Sequence, residues 1–246
     1  MSVLHLSVAW ISSEIALLLV TAASIGVVHT LIGPDHYLPF VALARERGWS
    51  LSRTLNTTAL CGIGHCAGSV IIGFVGIAFG LGIAGLEATE STRGDIAAWV
   101  LLGFAIAYLI YSLRVWRRSV VHSHEHAHTC GTVHEHEHNH LDEHGHVHVE
   151  TSGATPVVAA LFVVFVLGPC EALIPMLMYP AATLNAGAVL AVTLTFSFAT
   201  VATMLIAVAV GYSGAKRFSL KLPVGAPGAI AATLIGACAA AMLLGL

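Results

Sequence analysis

Six stretches of the chain are almost wholly apolar, at 16–43, 55–82, 96–115, 156–183, 187–212 and 225–246. Each reaches the roughly 20 residues that an α-helix needs to cross a bilayer. None shows the short alternating pattern of a transmembrane β-strand, which excludes a barrel. The pattern predicts an all-α membrane protein with six transmembrane helices. Stretches one and four are longer than a crossing requires, and each holds a Gly-Pro in its interior, Gly33-Pro34 and Gly168-Pro169. Proline removes a donor and clashes with the preceding turn, so helices 1 and 4 are expected to be broken. Broken backbone at membrane depth persists only where protein or a cavity surrounds it.

The polar intervals differ in sign. The intervals after stretches 1, 3 and 5 hold "RERGWSLSR", "RVWRRS" and "KRFSLK", which together contain nine of the ten Lys and Arg residues. With six crossings these three intervals share one side. The positive-inside rule puts them in the cytoplasm and both termini outside, in a multi-pass protein of the cell membrane. Only Arg93, beside Glu87, Glu90 and Asp95, stands on the opposite side. The N-terminus lacks the basic region and cleavage site of a signal peptide, so the first apolar stretch is expected to be retained.

"GPDHYL" (33–38) and "GPCEAL" (168–173) lie 135 positions apart, and at that offset Ala67 meets Ala202 and Gly76 meets Gly211. Stretch 1 would cross in one direction and stretch 4 in the other. This predicts an inverted 3+3 repeat: 1–118 as the first three-helix unit, 119–153 as an intervening loop, and 154–246 as the second unit. Transporters of that design place substrate at broken helices near the midplane.

Composition agrees with the pattern. Hydrophobic residues make up 57% and charged residues 9%, against about 25% charged in soluble domains, and mean hydropathy is +0.87. The few ionisable groups inside the apolar stretches therefore carry the chemistry. An ionised Asp at a helix centre costs at least roughly 2.5–3.5 kcal/mol and should face a cavity or a partner. Asp35 and Glu171 are the carboxylates placed deep in the stretches, with His29, His36 and His65 as the imidazoles. His36 and Glu171 are related by the 135-residue offset. Imidazole with carboxylate suits nickel, cobalt, zinc or manganese, so His29, Asp35, His36, His65 and Glu171 form the candidate metal set.

The five cysteines, at 61, 66, 130, 170 and 238, form no CxxC pair. Cys170 occupies the repeat position of Asp35; it and Cys66 are further candidate ligands, although buried cysteine often behaves as a small hydrophobe. Met176, Met178 and Met204 are expected to pack.

The intervening loop contains "HSHEHAHTCGTVHEHEHNHLDEHGHVH". Its histidines are His122, His124, His126, His128, His134, His136, His138, His140, His144, His146 and His148. With almost nothing to bury, the loop is expected to be disordered without metal. Its imidazoles suit local capture of Ni, Co, Zn or Cu ions, with proton release.

"HTLIGPDH" resembles the His-x(4)-Asp-His signature of the nickel/cobalt transporter family, with five residues here between His29 and Asp35. "GIGHCAGSVI" is similar to that family's second histidine motif, with His65 in the matching place. The histidine-rich loop resembles that of nickel-cobalt efflux proteins. The six-helix repeat looks like the wider LysE-type superfamily, which includes urease-accessory membrane proteins. The resemblance implies that His29, Asp35, His36 and His65 bind and move Ni2+ or Co2+, the transported ion rather than a prosthetic group. A cytoplasmic metallochaperone is the expected protein partner, alongside the lipid bilayer. Three other readings compete with this one. A thiol-disulfide electron conduit needs a cysteine in each broken helix, and Asp35 stands where the first would be. A cation-diffusion zinc exporter needs His/Asp-x(3)-Asp motifs that are absent, and a sensor would bind metal without moving it. No nucleotide-binding loop or hydrolytic constellation is present, so neither an enzyme nor a nucleic-acid partner is expected.

Overall fold

The structure is a computed structural model describing residues 2–119, 122–127, 133–138, 154–183, 186–217 and 223–245, with side chains described over 13–118, 156–183, 186–217 and 223–245. Helix α1 (Ser2–Ile32) passes through one 3-10 turn (Pro34–His36) into α2 (Leu38–Glu46), and α3 (Leu51–Ala78) and α4 (Ile83–Ser119) follow. After strands β1 (His122–Ala127) and β2 (Val133–His138) come α5 (Ala154–Leu167), α6 (Leu173–Thr183), α7 (Ala186–Arg217) and α8 (Ala226–Leu243). Among the described residues, five helical segments are long and apolar enough to cross a membrane: Ser13–Ile32, Leu51–Ala78, Ile83–Arg118, Ala186–Arg217 and Ala226–Leu243. Large apolar side chains such as Phe79, Phe198, Ile206 and Val210 stay open on the outside. An apolar exterior on this scale fits lipid rather than water. The chain is a membrane-embedded helical protein.

Both Gly-Pro positions interrupt helix. α1 stops at Ile32 and α5 at Leu167. Pro169 has no N–H to give to the carbonyl four residues back, on Phe165. That carbonyl accepts instead from the Gly168 N–H at 3.1 Å and has a lone pair left for another donor.

The two halves interdigitate. α1 lies along α7, α3 along α5 and α7, and α4 along α8. Gly64 and Gly68, one turn apart on α3, open the approach to α5. A Cβ on Gly64 would lie 2.8 Å from Phe162 and Val166 side-chain atoms, and one on Gly68 2.8 Å from the Val166 carbonyl oxygen. Small residues at i and i+4 let membrane helices come this close. Below the break, the Phe40 and Phe165 rings meet tilted at 52° with centroids 4.8 Å apart, in a core shared with Leu101, Leu161, Met204 and Ile235. The basic helix ends gather at one end of the bundle. There Arg45 donates to the Ala215 carbonyl, the Tyr212 hydroxyl donates to Trp49 O at 3.0 Å, and Arg47 lies 5.6 Å over the Tyr108 ring.

Two elements depart from the sequence expectation. α4 begins at Ile83, well before the apolar stretch at 96–115, and takes in Glu87, Glu90, Arg93 and Asp95. The polar turn holds helix because Thr89 and Thr92 return their hydroxyls to carbonyls four residues back, and Glu90 pairs with Arg93 at i,i+3. Within 119–153, expected to be disordered, β1 and β2 pair antiparallel. The His-x-His alternation has period two, which is the period of a strand. Cys130, His128, His140, His144, His146 and His148 lie outside the described residues.

Candidate metal centre

His29 comes from the last turn of α1, His36 from the 3-10 turn after the first break, and His65 from the middle of α3. Ring centroids are 4.8 Å apart for His29 and His36, 5.1 Å for His36 and His65, and 6.4 Å for His29 and His65. One ligand nitrogen from each ring lies within 4.8 Å of the other two, so the trio can hold a metal ion. Two donors each at about 2.1 Å from one ion are at most about 4.2 Å apart. Three donors in a tetrahedral set are closer still, about 3.4 Å apart, so loading draws a pair as wide as 4.8 Å inward by about an ångström.

Each break anchors one of the rings. His36 Nδ1 donates to the Gly33 carbonyl at 3.0 Å, and His65 Nδ1 donates to the Phe165 carbonyl at 3.2 Å. The second acceptor is the carbonyl that Pro169 left without its helical donor. An Nδ1–H held this way presents Nε2 as the lone-pair nitrogen, the usual outer support of a metal-binding histidine. In both rings Nε2 is buried and has no hydrogen-bond partner among the described residues. An unpaired buried polar group costs about 1–3 kcal/mol, and here two stand side by side. Asp35 places Oδ1 3.3 Å from His36 Nδ1, on the anchoring nitrogen rather than among the three ligand atoms.

Gly33 is set by space. A Cβ there would lie 2.6 Å from His36 Nδ1 and 2.8 Å from Asp35 Oδ1. Gly33→Ala is therefore expected to push the His36 ring off its anchor and weaken Co2+ binding at least about tenfold, within the range for lost outer support. Cobalt titration of the purified variant, followed by its absorption bands, measures this; unchanged affinity would mean that His36 does not need that anchor.

The trio sits between two cavities. A pocket of about 20 Å³, room for about one water-sized particle, is lined by Asp35, His36, His65 and Gly168 and closed by Leu101, Val164, Phe165 and Met242. A larger cavity of about 700 Å³ reaches His29, Asp35 and His36 and is also lined by Asp95, Pro169 and Glu171. Its walls include the early part of α4 and the end of α8. That end lies opposite the basic helix ends, since α8 starts against Trp116 and Ser112. Glu171 is exposed there and lies outside the trio. Cys170 places Sγ 3.9 Å from His29 Nε2, whereas Cys66, buried and free, is not among the grouped ligands.

A second buried cluster, drawn in part from an interval that the polar pattern places outside the membrane, holds the second break. Glu90 is fully buried. Its Oε1 pairs with Arg93 Nη1 at 2.5 Å, and its Oε2 accepts from Ser69 Oγ and from the Cys170 N–H, both at 3.0 Å. Arg93 donates Nε to Leu167 O at 3.1 Å and Nη2 to Gly168 O at 2.6 Å and Ser69 Oγ at 2.9 Å. The carbonyls at the end of α5 are thus capped by a guanidinium from α4, and Gly94 lets α4 come up against the Pro169 ring. The signal available in the sequence was the Glu-x-x-Arg spacing, with Ser69 one turn beyond His65.

No protein-family model, curated protein sequence or solved structure matches this chain.

Proposed function

We propose that the protein carries a divalent transition-metal ion across the membrane through the His29–His36–His65 site. The observation that carries this reading is the pair of buried, unpartnered Nε2 atoms on His36 and His65, each fixed by an Nδ1 bond to carbonyl at a helix break. Ionisable groups at membrane depth mark ion pathways, and the cavity lined by Asp35, Asp95 and Glu171 suits the approach of a cation. Nickel or cobalt is the preferred cargo. Imidazole donors accept either, and the likeness of "HTLIGPDH" and "GIGHCAGSVI" to nickel/cobalt transporter motifs favours them.

We infer further that α5 and α6 together make one crossing, giving six crossings in two inverted three-helix units. The packing supports this: α1 on α7 and α5 on α3 exchange under the repeat, and α4 on α8 maps onto itself. The two Gly-Pro breaks, 135 residues apart, support it as well.

The test is flux into proteoliposomes containing a chelating dye, with Ni2+, Co2+, Zn2+ and Mn2+ supplied in turn. Nickel or cobalt entry well above protein-free vesicles is expected. Tight binding with no flux of any of these ions would make the protein a metal binder instead. The acidic cavity has its own signature. Asp95→Asn with Glu171→Gln is expected to slow entry several-fold at low ionic strength, with the deficit shrinking as salt shortens the Debye length. A deficit independent of salt would exclude electrostatic guidance.

A further inference from the structure

The hairpin between the two halves has a specific register. His122 pairs with His138, His124 with His136 and His126 with His134; between them Ser123 pairs with Glu137, Glu125 with Glu135 and Ala127 with Val133. Side chains alternate faces along a strand. By register, all six histidine positions of the hairpin therefore fall on one face of the ladder, and positions 125, 135 and 137 on the other. Directly opposed residues have Cβ atoms about 4.5–5.5 Å apart, a separation from which two imidazoles can chelate one ion. Successive pairs on the same face are about 7 Å apart along the strand, so each pair is a separate place. Register is everything here, because a slip of one residue would set His124 opposite Glu137 and His126 opposite Glu135, leaving no His opposite His.

We propose that the hairpin holds three discrete divalent-metal sites, each formed by one cross-strand histidine pair: His122/His138, His124/His136 and His126/His134. The ligand is a transition ion with a preference for imidazole, such as Ni2+, Co2+, Zn2+ or Cu2+. An isolated two-stranded hairpin is marginal in water, and Glu125 opposite Glu135 adds like-charge repulsion. A cation bound on the histidine face offsets both, so metal binding and strand pairing are coupled. As a loading station for the carrier, the hairpin rests on the transport reading; as a set of metal sites, it does not.

The test uses the full chain in detergent micelles and two double variants of identical composition. His124→Asn with His136→Asn removes one pair. His124→Asn with His134→Asn removes one member from each of two pairs. Equilibrium dialysis against Ni2+ counts bound ions per chain, with the transmembrane histidines and the remaining loop histidines common to both variants. Ordered pairs predict a loss of one ion in the first variant and two in the second. Equal losses, or no loss, would overturn the proposal. Flux through the same variants keeps the two readings apart. Equal losses with intact transport remove only the paired sites, whereas one-and-two losses in a protein that moves no metal remove only the carrier.

Discussion

Alanine in place of His65 is expected to end metal flux while the protein remains folded in the membrane. The fold loses little, because the Phe165 carbonyl keeps its bond from the Gly168 N–H. One lost side-chain bond costs about 0.5–1.5 kcal/mol. The ion loses one of three nitrogen donors from a site with few alternatives nearby. His36→Ala should do the same for the same reason. Asp35→Asn gives the internal scale. Its carboxylate touches His36 from behind, at 3.3 Å from Nδ1, and losing such support typically lowers metal affinity about 10–100-fold. Flux in proteoliposomes at matched protein content should therefore fall in the order wild type, Asp35→Asn, then the two alanine variants at background. Wild-type rates in His65→Ala would detach the trio from transport altogether.

Arg93→Ala is expected to produce a large loss of stability. It leaves the fully buried Glu90 without its cation and removes the donor from Leu167 O, Gly168 O and Ser69 Oγ together. Breaking one side of a buried ion pair costs roughly 3–5 kcal/mol. Lysine should rescue only part of this, since a single ammonium cannot reproduce a guanidinium fork spread over several acceptors. Glu90→Gln on the Arg93→Ala background should recover part of the loss by removing the orphaned charge. Denaturant unfolding in micelles measures these differences. Cobalt titration of the same variants should also weaken, although Arg93 is not a ligand, because the Phe165 carbonyl that anchors His65 lies in the turn that Arg93 caps. Stability unchanged in Arg93→Ala would mean that the cluster does not hold the break.

The breaks and all three histidines that the structure groups, His29, His36 and His65, were legible in the sequence. Proline cannot donate, and His29 and His36 flank that proline in one short stretch. What fixes His65 was not legible, because its anchor depends on how closely α3 approaches α5. That approach follows from Gly64 and Gly68 meeting residues about a hundred positions away. Glu90 and Arg93 looked like an aqueous turn because charge in a row usually means solvent. Pairing at i,i+3 and return bonds from Thr89 and Thr92 keep the turn helical and let it enter the protein. Glu171 shows the limit of the repeat argument. The offset relates it to His36 as a position, but side-chain exposure follows from local packing, and Glu171 lines the open cavity. The histidine alternation was visible as a composition with nothing to bury; its period of two also matches a strand, and that consequence is the one the backbone shows.

The cap on the second break spans a long interval of the chain. Arg93 waits for carbonyls that come 74 and 75 residues later, and His65 for one that comes 100 residues later. All three histidines of the candidate site leave the ribosome in the first half of synthesis, yet the ring of His65 acquires its anchor only when α5 is in place. Until then a nascent chain carries the ligands without the geometry, and a charged pair without its acceptors. Completion of the second half is thus the step that gives the first half its site geometry, and a chain terminated within the histidine loop should be a substrate for membrane quality control.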